Sequence, residues 1–280
     1  MATSARPTRR TLETEVVEVQ RLTPHMYRVV LTGDDLADFP VGEYVDHYVK
    51  AILPGPGATY RAPFDVEQVK ADHPKDQWPR VRSYTVRAWD AEQRRLTLDF
   101  VHHGDIGVGG PWVAGAQPGD VLQLLGPGGG YAPDPNVAWH LLIGDECVIP
   151  AIAVALERIP AGRPVIAVIE IEDASEQQPL PTEGDAQIVW VHRSESPDDE
   201  DRLLRAVEAL ELPEGTYDAF LHGEATSVRR IRKHLLADRN VDPERFSVSG
   251  YWKRSRDDEG WRAEKRQWLQ DVAGDVPDAG

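Results

Sequence analysis

Arg82-Ser83-Tyr84-Thr85-Val86-Arg87, with the glycine-rich stretch from His103 to Gly130 behind it, decides how this chain is read. Val81, Tyr84 and Val86 stand among polar residues in a β-favouring run, so Arg82 to Arg87 is predicted to be a strand. Strand side chains alternate between faces. Arg82 and Tyr84 therefore share one face, and Ser83, Thr85 and Arg87 the other. A flat aromatic, short hydroxyls and two cations suit a ligand with a planar ring system and a phosphate. An edge strand with snorkelling arginines gives the same pattern. A second β-type run, Leu96-Thr97-Leu98-Asp99-Phe100-Val101-His102, opens into His103-Gly104-Asp105-Ile106-Gly107-Val108-Gly109-Gly110-Pro111-Trp112. Glycines let backbone amides approach a ligand without a Cβ in the way. Pro111 is predicted to begin a short helix through Trp112-Val113-Ala114, whose free amides favour a phosphate. The alternative is a plain glycine-rich surface loop.

Working outward, six β-type runs lie before about residue 130: Val16 to Leu22, Tyr27 to Thr32, Tyr44 to Leu53, Arg82 to Trp89, Leu96 to His102 and Val121 to Leu125. Separated by Gly, Pro and Asp, they predict an antiparallel six-stranded β-barrel. Pro54 to Arg80 interrupts them, and a connection that long is usually functional or mobile. Beyond Ala132-Pro133-Asp134-Pro135 the pattern changes. Runs near 137–143, 165–171, 187–191, 218–222 and 246–250 have the continuous apolar character of buried parallel strands. Helical stripes, Leu203/Val207/Leu210 and Val228/Ile231/Leu235, fall between them. The prediction is two domains, a barrel over 1–132 and a doubly wound parallel-sheet α/β domain over 133–280. Trp261, Trp268 and the Arg262 to Arg266 cluster predict an amphipathic C-terminal helix packed across the domains, and Asp271 to Gly280 a frayed tail.

Composition narrows the function. A formal charge of −16 repels nucleic acid and anionic membrane surfaces and makes local cationic clusters more informative. No apolar run approaches the roughly 20 residues that span a bilayer. Arg9-Arg10 is followed by Thr11-Leu12-Glu13 instead of a signal-like apolar segment, so a cytoplasmic protein without stable membrane association is expected. The single cysteine, Cys147, excludes an internal disulfide and reads as helix packing. The nine histidines show no zinc spacing, and His102 and His103, adjacent on a strand, point apart. Any iron handled here arrives inside a substrate.

The chain resembles the siderophore-interacting proteins, or ferric-siderophore reductases, within the ferredoxin-reductase-like flavoproteins. The resemblance rests on Arg-Ser-Tyr-Thr-Val-Arg at 82–87, Asp-Phe-Val-His-His-Gly at 99–104, Pro-Gly-Asp at 118–120 and Gly-Pro-Gly-Gly at 126–129. It continues in Gly-Asp-Glu at 144–146 with Pro150-Ala151, His-Gly-Glu at 222–224, Ser-Gly-Tyr-Trp at 249–252 and Gly-Trp-Arg-Ala-Glu-Lys at 260–265. The ordered set covers nearly the whole chain.

The resemblance implies FAD on the barrel, NADPH or NADH on the second domain as electron donor, and reaction at the cleft between them. It implies that Arg82 neutralises FAD phosphate, Ser83 and Tyr84 meet the flavin region, and Thr85 hydrogen-bonds near the reactive ring nitrogen. Asp99, Val101 and His103 would line the flavin or its adenosine side, and Gly109, Gly110 and Trp112 would meet the pyrophosphate. The family usually places Gly-Pro-Ala-Ser before that tryptophan, and Gly109-Gly110-Pro111 lacks the serine hydroxyl. Gly144, Asp145 and Glu146 stand where a strand passes into a helix, the usual nucleotide crevice. This is no GxGxxG fingerprint, two acids beside a pyrophosphate are awkward, and Asp145 reads equally as an N-cap. His222, Gly223 and Glu224 would face the nicotinamide. His192-Arg193 reads as a solvated surface pair or as a contact to an adenosine 2′-phosphate. Lys50 matches a family lysine, and Tyr251, Trp252, Lys253 and Arg254 a family aromatic and cationic stretch, which together would capture an anionic ferric-siderophore. Each also reads as a solvated charge or a packing aromatic.

The implied reaction is flavin-dependent reduction of a ferric-siderophore, releasing iron(II) during iron uptake. Ferredoxin is an alternative donor. The competing readings are an electron-relay flavoprotein that reduces a protein partner and a non-catalytic siderophore carrier.

Overall fold

The computed structural model describes residues 11–239 and 241–275. The Arg9-Arg10 pair lies outside them. The chain divides after Gly130 into two compact units.

The first unit is a closed antiparallel barrel of six strands: β1 (Leu12–Thr23), β2 (Met26–Thr32), β3 (Tyr48–Leu53), β4 (Arg80–Asp90), β5 (Arg95–Val101) and β6 (Val121–Gly128), in the order β1-β2-β5-β4-β3-β6. Alternation explains its interior. Val49, Ala51 and Leu53 on β3, Leu96, Leu98 and Phe100 on β5, and Leu122 and Leu124 on β6 are fully or almost fully buried. Closure removes the edge strands that an open sheet of this composition would expose. Strand ends differ from the sequence reading: β1 begins at Leu12 and β6 runs on to Gly128, β3 begins only at Tyr48, and β5 ends at Val101, so His102 and His103 lie beyond it.

The long interruption between β3 and β4 is ordered. It holds α1 (Val66–Asp72), whose first amides at Glu67 and Gln68 bond to Asp65 Oδ1 at 2.8 and 2.9 Å. Tyr60 Oη accepts from Gly55 N at 3.1 Å and donates to Gln77 O at 2.6 Å, tying the two ends of the segment together. The Gln123 amide donates to Phe64 O and accepts from Phe64 N, both at 3.0 Å, which ties its middle to β6. The helix near Pro111 is α2 (Gly109–Gly115), so proline is its third residue instead of its first.

The second unit is a five-stranded parallel sheet: β7 (Trp139–Asp145), β8 (Pro164–Ile171), β9 (Asp185–His192), β10 (Tyr217–Glu224) and β11 (Phe246–Trp252), in the order β11-β10-β7-β8-β9. Helices α3 (Ile149–Arg158), α4 (Arg202–Glu208), α5 (Ala225–Asp238) and α6 (Asp258–Gly274) accompany it. Every residue of β7 and β10 is buried, as expected of central strands covered on both faces, and the polar pair His140 and Asp218 among them bond each other at 2.6 Å. Strand order reverses between β7 and β10, which places a topological switch point at Asp145 and Glu224.

The C-terminus departs from its sequence reading. Trp261, Trp268 and Val272 of α6 belong to this unit's own core, and Trp268 Nε1 donates to Ala225 O at 3.1 Å. Asp271 to Gly274 is helix, and Asp275 pairs with Arg229 and Lys233. Residues 276–280 lie outside the described residues. Among the described residues no helix is long and apolar enough to cross a membrane.

Candidate functional site

Antiparallel register sets the first group of residues. Tyr48 pairs with Thr85, Lys50 with Ser83, Val49 with Tyr84 and Ala51 with Arg82. Cross-strand partners share a face. Lys50, Tyr48, Ser83 and Thr85 therefore form one strip, while Tyr84 and Arg82 lie on the face of the buried Val49 and Ala51. Arg87 does not continue this alternation, because the pairing of β4 with β5 slips between Val86 and Ala88 and leaves it in a bulge.

The Tyr84 ring packs against Phe100, with centroids 3.9 Å apart, and Phe100 continues to Trp112 at 5.4 Å. Gly109 is required by this stack: a Cβ there would stand 2.1 Å from Tyr84 Oη. Gly109 and Gly110 are buried at the start of α2, whose N-cap Val108 makes no side-chain cap bond, and Gly104 and Gly107 in the preceding loop face open space. Backbone amides at the start of α2, hydroxyls at Ser83 and Thr85, and a guanidinium at Arg82 are a donor set that fits a flavin dinucleotide. Val101 closes β5, and His103 follows it in an exposed turn.

Asp99 is 5% exposed, and both its oxygens are taken by Arg28, its cross-strand partner, at 2.7 and 2.8 Å. Asp99→Ala strands a half-buried guanidinium, so a stability loss of about 3 kcal/mol is expected from urea unfolding at pH 7, with Arg28→Ala costing a similar amount.

The second group gathers at the carboxyl ends of the parallel strands. Asp145 is not the cap of α3, whose N-cap is Val148. Its Oδ1 accepts from Cys147 N at 3.1 Å and Cys147 Sγ at 2.7 Å, and its Oδ2 from Glu224 N at 2.9 Å and Trp252 Nε1 at 2.8 Å. Burial, reinforced by the Glu146 charge, pushes its carboxyl up to about 7. Cys147 lies in the turn before α3; burial and the adjoining Asp145 push its thiol up, away from nucleophilic character. Gly223, at φ +131°, makes room for the carboxylate, because a Cβ would meet Asp145 Oδ2 at 2.6 Å. Gly144 serves packing, with Val148 side-chain atoms 2.6 Å from where its Cβ would be. Glu224 caps α5 through Thr226 N and Ser227 N and receives Arg254 N at 3.0 Å.

Arg193 is no solvated surface cation. It grips Glu146 with two bonds at 2.6 and 2.7 Å and reaches Glu172 at 3.1 Å and Glu170 at 3.4 Å. Burial alone would lower its guanidinium, but the glutamates hold it above its ordinary value. Burial raises Glu170 despite Arg193 and Arg202 beside it. His192 bonds Glu195 at 2.8 Å.

His222 is buried between Tyr251 Oη, 3.0 Å from Nδ1, and Ser247 Oγ, 2.9 Å from Nε2, with its ring on Phe220. Burial, with Lys265 adding to it, pushes the imidazole down to about 3. A histidine with a depressed folded value gives stability that is present above its unfolded value near 6.5 and is lost as pH falls through the folded one. Wild-type protein is therefore expected to lose about 2–3 kcal/mol more than His222→Gln between pH 7 and pH 4.5, read from urea unfolding at both.

Of the cations read as substrate contacts, Lys253 bonds Glu264 at 2.6 Å and Arg254 bonds Glu200 at 3.2 Å. Tyr251 is held by His222, and Trp252 keeps 37% of its surface exposed. Sequence reasoning missed Arg28, Glu170, Glu172 and Ser247. For Glu170 and Glu172 a signal existed, since acids inside the apolar run 165–171 and at its end require partners.

A closed antiparallel barrel ahead of a five-stranded parallel sheet is a ferredoxin-reductase-like fold. Family models narrow this further: "Siderophore-interacting FAD-binding domain" matches residues 15–131, and "Siderophore-interacting protein" matches residues 137–255. The chain belongs to the siderophore-interacting protein family. The ferric vibriobactin reductase ViuB of Vibrio cholerae is 31% identical over 90% of this chain and 92% of its own length. The NADPH-dependent ferric-chelate reductase of Escherichia coli is 30% identical over 86% of this chain and 92% of its own. Among solved structures, a siderophore utilization protein from T. fusca superposes with a TM-score of 0.73 at 36% identity, covering 89% of this chain and 94% of that one.

Proposed function

We propose that this protein reduces ferric-siderophore complexes with electrons carried from NADPH or NADH through bound FAD, so that iron leaves its chelator as iron(II) inside the cell. The observation that carries this reading is the β3–β4 register, which sets Lys50 beside Ser83 and Tyr48 beside Thr85 on one strip of the barrel. The reductase names of the relatives support it. FAD supplies the passage from two-electron to one-electron transfer.

The residues' own work is binding and tuning. In this reading the α2 amides at Gly109 and Gly110 and the Arg82 guanidinium hold phosphate, with Asp99, Val101, His103 and Trp112 around them. Thr85 and Ser83 present fixed hydroxyls where negative charge grows on reduction, which favours the reduced form. Lys50, on the barrel, offers charge to an anionic chelate, and the Tyr251 to Arg254 segment, on the second unit, offers aromatic surface to one. Gly144 to Glu146 and His222 to Glu224 shape the crevice for the nicotinamide donor at the strand ends. Oxygen-rich chelators grip iron(II) far less tightly than iron(III), so reduction is the release step. No general acid or base is required.

Colour is the first test. Purified protein should be yellow with FAD released on denaturation, and anaerobic NADPH or NADH should bleach it. Bleaching by reduced ferredoxin alone would move the donor to a protein partner. Colourless folded protein that takes up neither FAD nor FMN would overturn the reading in favour of a carrier.

A further inference from the structure

Trp252 presents more than a third of its surface to solvent, yet its indole nitrogen is bonded to a carboxylate that is 3% exposed. Building on the functional reading above, we propose that Asp145 is a positioning residue for ferric-chelate binding, holding the Trp252 indole as a preset aromatic surface at the carboxyl edge of the sheet.

Four groups converge on Asp145, from the turn after β7 and from the ends of β10 and β11, and in each bond Asp145 is the acceptor. Its oxygens are thus committed within the unit, through the space Gly223 leaves. The chain after Trp252 is held as firmly. Arg254 N bonds Glu224, whose own amide returns to Asp145, and Lys253 bonds Glu264. Trp252 is fixed both at its ring and by the backbone that follows it. An exposed ring whose rotamer is set in advance binds a partner at lower entropic cost than a free one, and its flat face suits an aryl chelator such as a catecholate.

The clamp depends on an ionised carboxylate. A proton on Asp145 adds a donor where four donors already converge, so one bond must yield. The charged and titratable groups facing it are Glu146 and Cys147 after β7, Glu170 on β8 and Glu224 on β10, with Arg193 and Arg202 bonded to the glutamates of this cluster. The indole is expected to loosen as pH falls below neutral.

Nitrogen-15 tryptophan labelling reads the clamp without any turnover. The Trp252 indole resonance, assigned by its loss in Trp252→Phe, should shift between pH 8 and pH 5.5 and be displaced in Asp145→Asn. With ferric 2,3-dihydroxybenzoate as substrate and the nicotinamide donor saturating, Asp145→Asn should raise the KM for the chelate about ten-fold, as loss of one charge-assisted bond implies. Trp252→Phe keeps the carboxylate and a ring, so it tests the same bond if Asp145→Asn fails to fold. It should raise KM similarly and abolish the rise of KM below pH 7. An indole resonance unmoved by pH, or Trp252→Phe with wild-type KM and pH profile, overturns the proposal. A wild type that reduces no ferric chelate overturns the functional reading and with it the binding role, while the indole resonance still decides whether the clamp exists.

Discussion

Gly109→Ala is expected to purify nearly colourless, with FAD affinity down about 100-fold and a stability loss of about 1–3 kcal/mol. The added methyl would stand 2.1 Å from Tyr84 Oη, well inside any tolerable contact. Tyr84 has little room to retreat, because its ring lies on Phe100, which is fully buried and itself backed by Trp112. Relief must come from moving α2, which carries the amides assigned to phosphate, or from expelling Tyr84 from its stack. Both damage the same site. The clash is specific enough to be reversed. The next Tyr84 atom, Cζ, would be 3.4 Å from the new methyl, an ordinary contact. Adding Tyr84→Phe to Gly109→Ala should therefore restore most of the flavin, measured by absorbance after desalting, and most of the Tm. A double variant as colourless as the single one would show that Gly109 matters for another reason.

Arg193→Ala should cost about 3–5 kcal/mol of stability. It leaves Glu146, Glu170 and Glu172 facing one another, and the first two are largely buried, with side chains 13% and 8% exposed. Repulsion and desolvation then raise the glutamate values further. A carboxyl raised in the folded state contributes stability that is present below its unfolded value and is lost as pH rises through the folded one. The deficit should accordingly narrow between pH 8 and pH 5.5 in urea unfolding. Arg193→Lys should fall between the two, since a single ammonium cannot span three carboxylates with fixed geometry. A deficit independent of pH would argue that lost packing dominates.

Both variants probe places where the sequence was only half legible. Continuous apolar runs and alternating ones announced the parallel sheet and the barrel directly, because each period follows from which faces are buried. The Lys50–Ser83 juxtaposition depends on register, which neither strand specifies alone. At the strand ends the motifs were visible and their partners were not. Gly223 looks like a ligand-approach glycine, yet the atom that approaches is Asp145 Oδ2. Asp145 looks like a cap, yet it joins strands separated by 79 and 107 positions in the chain. Arg193 looks solvated because its glutamates come from β8, from the position just after it and from the turn after β7. Such pairings are set by sheet order, and local pattern carries no information about them.

The most direct measurement mixes anaerobic, fully reduced protein with a ferric-siderophore in a stopped-flow cell containing an iron(II) trap. Oxidised-flavin absorbance should return as trapped iron(II) accumulates, with about two iron(II) formed per flavin because two electrons are released singly. Reduced flavin that persists beside intact ferric chelate would contradict the account.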